Sequence, residues 1–142
     1  MRTWQRFRGL NAADRGLITE AAAWLLAVRV AIAVTPFLTL RRTLSRFSRL
    51  CARRTDASHP PVSRVAWAVA AAARHLPMHS TCLVESLAAQ AMLGRRGFAC
   101  ELRLGVKRPD DRSRLAAHAW IEHDGAVVIG RVDDLYDYAE LR

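Results

Sequence analysis

Cys82 opens the helical apolar stretch STCLVESLAAQAMLGRRG, Ser80 to Gly97, and His118 lies downstream within LAAHAWIEH. A thiol and an imidazole together can perform nucleophilic acyl transfer. The imidazole takes the thiol proton, the thiolate attacks a carbonyl, and the proton passes on to the leaving group. An unperturbed thiol, with a pKa of about 8.5, is mostly protonated at neutral pH, and a helix N-terminus or a nearby imidazolium favours its anion. The backbone N–H groups of Cys82 and Leu83 would have no acceptor within the helix and could stabilise an oxyanion. A plainer reading stays open: cysteine is often a small buried residue, and a strand histidine is often a structural hydrogen-bonding group.

That chemistry requires elements that hold the two residues. Leu17, Ala21, Trp24, Leu25, Val28 and Ile32 keep the three-to-four spacing of a buried helical stripe, which Asn11 or Asp14 can cap and Pro36 ends. Leu40, Leu44 and Phe47 among arginines predict a second, basic amphipathic helix to about Arg54. TDASHPPVS, residues 55–63, reads as a linker, and residues 65–76 as an alanine-rich helix stopped by Pro77. The cysteine helix then spans Cys82 to Arg95, with Gly94 or Gly97 closing it. FACELRLGV alternates as a strand. LAAHAWIEH and AVVIGRV read as two more strands, joined at the hairpin signal Asp124-Gly125. Helices followed by an antiparallel sheet make an α+β fold. The expected organisation is a basic helical region and linker over residues 1–64 and a catalytic core over 65–142, together one compact unit.

The 142 residues suit one domain, and three irregularly spaced cysteines do not make a disulfide framework, which fits a reducing cytoplasm. Residues 1–64 hold twelve arginines against three acids, whereas residues 65–142 hold ten basic and ten acidic side chains. The basic excess is entirely N-terminal and favours an anionic partner. Arg41, Arg42, Arg46 and Arg49 form either a solvated helix face or a docking face. Residues 17–40 come nearest to a membrane span, but Glu20 and Arg29 interrupt the apolar run, so none is expected.

Two separated motifs carry a family resemblance. CLVESLAAQAMLGRRGFACELRLGV followed by AAHAWIEHDGAVVIG resembles the transglutaminase-like cysteine peptidase of lasso-peptide biosynthesis, which removes the leader from the precursor peptide. The matching features are Cys82-Leu-x-x-Ser-Leu-Ala88, Gly97, Gly105-Val106 and His118-Ala-Trp120-x-Glu122. LITEAAAWLLAVRVAI upstream is also similar to that family's N-terminal part. The resemblance implies a papain- or transglutaminase-like core whose nucleophile, Cys82, starts a helix packed on an antiparallel sheet. His118 would be the base and an acid would orient its ring, with no metal and no cofactor. It further implies three partners: the precursor's leader, a separate winged-helix recognition protein (the first 64 residues lack the strands of such a domain) and the lasso cyclase. Neither nucleic acid nor a membrane span is called for.

The third member departs from the family pattern. The acid is expected about a dozen residues after the histidine, where this chain has Ile129-Gly130. A two-residue turn at Asp124-Gly125 pairs residue 123 with 126 and hence His118 with Arg131, which makes Asp133 a diagonal neighbour of His118. A register shift of one would favour Asp134, and a backbone carbonyl or a water could serve instead. Glu122 is four residues along the strand, about 13 Å away, too far for contact. His75, His79 and Cys82 are considered as zinc ligands, but Pro77 breaks their helical spacing and no fourth ligand is evident. Trp120 reads as core or cleft wall, and Ser86 and Gln90 as cleft lining or packing. The rival readings are a transglutaminase or amidase using the same thioester, and a non-catalytic adaptor binding membrane or nucleic acid through residues 1–64.

Overall fold

The computed structural model describes residues 9–51, 60–76, 80–108 and 115–141. Four helices are described: α1 (Ala12–Val34), α2 (Phe37–Cys51), α3 (Val62–His75) and α4 (Cys82–Arg95). Four strands follow: β1 (Glu101–Lys107), β2 (Ala116–His123), β3 (Ala126–Ile129) and β4 (Ala139–Glu140). They form an antiparallel sheet in the order β3-β2-β1-β4.

Asn11 caps α1, its side chain accepting the Asp14 N–H at 2.7 Å. Asp14 instead forms an ion pair with Arg64 of α3. Thr35 closes α1 by donating to the Ala31 carbonyl, and Pro36, which has no N–H to continue the ladder, separates α1 from α2. The buried stripe of α1 is Leu17, Ala21, Leu25 and Val28. Among the described residues α1 is the one helix long and apolar enough to cross a membrane. Its opposite face carries exposed Leu26, Val30 and Val34.

The basic helix starts at Phe37 and is described to Cys51, and most of the expected linker, together with Pro77, lies outside the described residues. The last two linker residues, Val62 and Ser63, belong to α3, so a boundary after residue 64 falls inside that helix. Val65, Ala68, Val69 and Ala72 of α3 are buried at helical spacing. One apolar cluster joins residues from α1 to β3.

At the centre lies α4, packed by α1, α2 and α3 and by the sheet through β2. Its run Leu87, Ala88, Ala89, Ala91, Met92 and Leu93 is fully buried, which explains an apolar character on all sides. The helix ends in a Schellman motif. Gly97, at φ 81°, donates to the Gly94 carbonyl and Phe98 to that of Leu93.

The hairpin forms at the expected turn. Asp124 (φ 50°) and Gly125 (φ 76°) give the two left-handed residues of a type I′ turn, and His123 pairs with Ala126. Two expectations then need correction. A bulge makes Ile121 pair with Ile129 while Glu122 pairs with Val127, so the predicted pairing of His118 with Arg131 does not occur. And β3 stops at Ile129 instead of running to residue 132, because Gly130, at φ 80°, turns the chain out of the sheet. The C-terminal tail forms a 3-10 turn (Leu135–Asp137) and then β4, which pairs with the close of β1.

Candidate functional site

Cys82 is the first residue of α4 and is half-buried. Thr81 caps the helix: its hydroxyl accepts the Val84 N–H at 3.4 Å and its carbonyl the Glu85 N–H at 3.0 Å. Of the first-turn donors, the N–H groups of Cys82 and Leu83 thus remain without an acceptor inside the helix. Neither Cys82 nor Cys100 is in a disulfide.

His118 is the third residue of β2. Along that strand Ala119 and Ile121 face the apolar cluster around α4, while His118, Trp120 and Glu122 alternate onto the other face. Just beyond the end of α4, Phe98 packs edge-on against His123 and the Ala99 carbonyl accepts from that ring at 2.6 Å. The end of α4 therefore lies by the end of β2. Cys82 is at the opposite end of α4 from this contact, and His118 lies on the face of β2 turned away from the cluster around α4. Among the described residues His118 and Cys82 are not hydrogen-bonded to one another.

What holds His118 is clear. Its Nε2 lies 2.6 Å from the Gly130 carbonyl oxygen. Its ring stacks on Trp120 (centroids 6.2 Å apart, 17° between planes) and meets Tyr138 at 5.5 Å. Gly105 pairs directly with His118. A Cβ on Gly105 would come within 2.8 Å of Tyr138 Cβ and 3.0 Å of the Trp120 ring, so the glycine makes room for both rings.

The two carboxylates considered for the third position do not hold the ring. Asp133 is exposed in the segment after Gly130, and among the described residues it makes no hydrogen bond to the His118 ring. Asp134 is engaged by Lys107 Nζ at 2.6 Å, with Asp137 also 3.3 Å from that ammonium. Its hydrogen bond to Lys107 holds the Asp134 carboxyl below its ordinary value, and the charge on His118 adds a smaller pull in the same direction. Glu122 accepts from the Trp120 ring N–H at 2.9 Å and pairs with Arg103, clear of His118.

The remaining candidates fall elsewhere. Ser86 and Gln90 are buried within the packing around α4, where Ser86 Oγ and Gln90 Oε1 have no hydrogen-bond partner among the described residues. His75 donates its Nδ1 proton to the Ala71 carbonyl, and His79 lies outside the described residues. No His, Cys, Asp and Glu grouping suited to a metal occurs among the described residues. Sequence reasoning does not single out Tyr138, which meets His118 from the C-terminal tail, or Lys107, whose ammonium lies by Asp134, Asp137 and Tyr138. Gly130 carried one signal, a glycine where an acid was expected.

A cysteine at the capped start of a central helix, with first-turn N–H groups left over, suits acyl transfer through a thioester. No curated protein and no solved structure matches the chain. The family model described as the transglutaminase-like superfamily matches residues 22–142, from within α1 through the sheet. The chain belongs to the transglutaminase-like superfamily, which includes cysteine peptidases and transglutaminases.

Proposed function

We propose that this protein is a cysteine peptidase that removes the leader from a lasso-peptide precursor. The observation that carries the catalytic part of the reading is Cys82 at the capped start of α4, with two backbone N–H groups left over for an oxyanion. The leader-peptide part rests on the motifs around Cys82 and His118.

In the proposed reaction Cys82 Sγ attacks the carbonyl of the last leader residue while His118 takes the thiol proton. The resulting tetrahedral oxyanion would be held by the N–H groups of Cys82 and Leu83. Collapse breaks the C–N bond, His118 returns the proton to the core's amine, and the leader remains as a thioester until water hydrolyses it. Because the Gly130 carbonyl takes up Nε2, Nδ1 is the nitrogen available for these transfers. The proposed step requires that His118 Nδ1 reach Cys82 Sγ when substrate is bound.

The leader would be presented by a separate winged-helix recognition protein, and the cyclase would consume the freed core, in the cytoplasm where precursor and thiol coexist. The test is to incubate precursor and recognition protein with the enzyme or with Cys82→Ala and weigh the products. Leader and core masses are expected with the wild type alone, and circular dichroism should be unchanged in the variant. Intact precursor with wild type would overturn the proposal, and a product lighter by ammonia or joined to an added amine would assign the same thioester to a transglutaminase.

A further inference from the structure

We propose that the backbone carbonyl of Gly130 does for His118 what a side-chain acid does in a cysteine-histidine-acid triad, so that no carboxylate takes part. This rests on the reading of His118 as the base. A carbonyl oxygen can only accept, so the 2.6 Å contact assigns the proton of the neutral ring to Nε2 and leaves Nδ1 bare. Gly130 is therefore a positioning residue, acting through the ring that it orients.

Two constraints put this carbonyl where it is. The backbone at Gly130 has φ 80°, and a Cβ there would lie 2.6 Å from the Ala119 carbonyl oxygen and 2.9 Å from Trp120 Cα. These neighbours are backbone atoms of β2, which cannot swing aside as a flexible side chain would. An aspartate at this position would need a different backbone path, and with that path the present carbonyl contact would be lost. The same close approach that excludes a side chain lays the carbonyl against the histidine.

The remaining contacts restrict the ring without competing for Nε2. Trp120 stacks on the ring and Tyr138 lies against it at a tilt, and Lys107 holds Asp134 in an ion pair of its own. A neutral acceptor selects the tautomer as a carboxylate does, but gives a weaker, uncharged hydrogen bond to the imidazolium that forms when Cys82 loses its proton. The device supplies orientation with little charge stabilisation.

Nitrogen-15 NMR of the full-length protein tests this without any substrate. With the ring neutral, His118 should show a protonated Nε2 and an unprotonated Nδ1, and the double variant Asp133→Asn/Asp134→Asn should show the same pattern. An Nδ1–H tautomer, averaging of the two tautomers, or a pattern that changes in the double variant would overturn the assignment. If the wild type cleaves the precursor, the double variant should keep kcat within tenfold, and a larger loss would make a carboxylate the third member. A wild type that cleaves nothing would defeat the peptidase reading while the NMR result still decides the ring's partner.

Discussion

At the scale of single residues the site depends on what two glycines leave out. Gly105 lacks the side chain that would collide with Tyr138 and Trp120, and Gly130 lacks the one that would collide with β2. Gly130→Ala should lower stability by at least about 1–2 kcal/mol, the cost of holding a non-glycine residue in the left-handed region, with the steric clash adding to it. Urea unfolding measures the loss, and an unchanged midpoint would show that the backbone has another path at Gly130. The placement of Cys82 at a helix start and of His118 in a strand could be read from sequence, because a thiol before an apolar helix and a histidine in an alternating strand are both visible in one dimension. The partner of His118 was not, because a one-residue bulge within the hairpin decides which atoms face the ring, and no residue type in AVVI announces a bulge. Counting across an ideal turn led to Asp133; the bulge and the turn-out at Gly130 put a main-chain oxygen there instead.

At the scale of elements, α4 is the piece against which the others are placed, and its burial sets its sensitivity. Leu87 has no exposed surface. Leu87→Ala should cost about 2–5 kcal/mol through lost burial and a cavity, read as an earlier denaturation midpoint. A second tie joins the far end of α4 to α1: Glu20 accepts from Arg96 at 2.5 Å and from Arg95 at 3.1 Å. Partial burial alone would raise the Glu20 carboxyl, but Arg96 first and Arg95 after it outweigh burial and hold it below its ordinary value of 4.5. A carboxylate whose folded pKa is lowered contributes stability above its unfolded pKa, and that contribution fades as pH falls through the folded one. Glu20→Gln should therefore cost about 1–2 kcal/mol at neutral pH, with the gap from wild type closing as pH falls through the lowered folded pKa. A gap that persists unchanged into acid would mean that the loss is not one of charge. The helices were legible because their apolar residues recur with the right period and their stops are prolines and glycines. The short β4 was not, since two residues give no period and its existence depends on the exposed edge of β1.

At the scale of the whole molecule, charge and apolar surface are divided unevenly. The acids of α1 are neutralised within the fold, Asp14 by Arg64 and Glu20 by Arg95 and Arg96, whereas α2 has no acidic residue to balance its arginines. If the recognition protein docks on this basic surface, the triple variant Arg41→Glu/Arg42→Glu/Arg46→Glu should weaken its binding at least tenfold at low salt, with Cys82-dependent hydrolysis of a small ester unaffected. Calorimetry showing unchanged affinity would remove that surface from consideration. The anchoring of His118 also depends on distant parts of the chain. The cysteine helix, β1 and β2 precede Gly130 and Tyr138, which contact His118, in the sequence. The contacts that hold the His118 ring are therefore completed only by chain that lies after β2 in sequence.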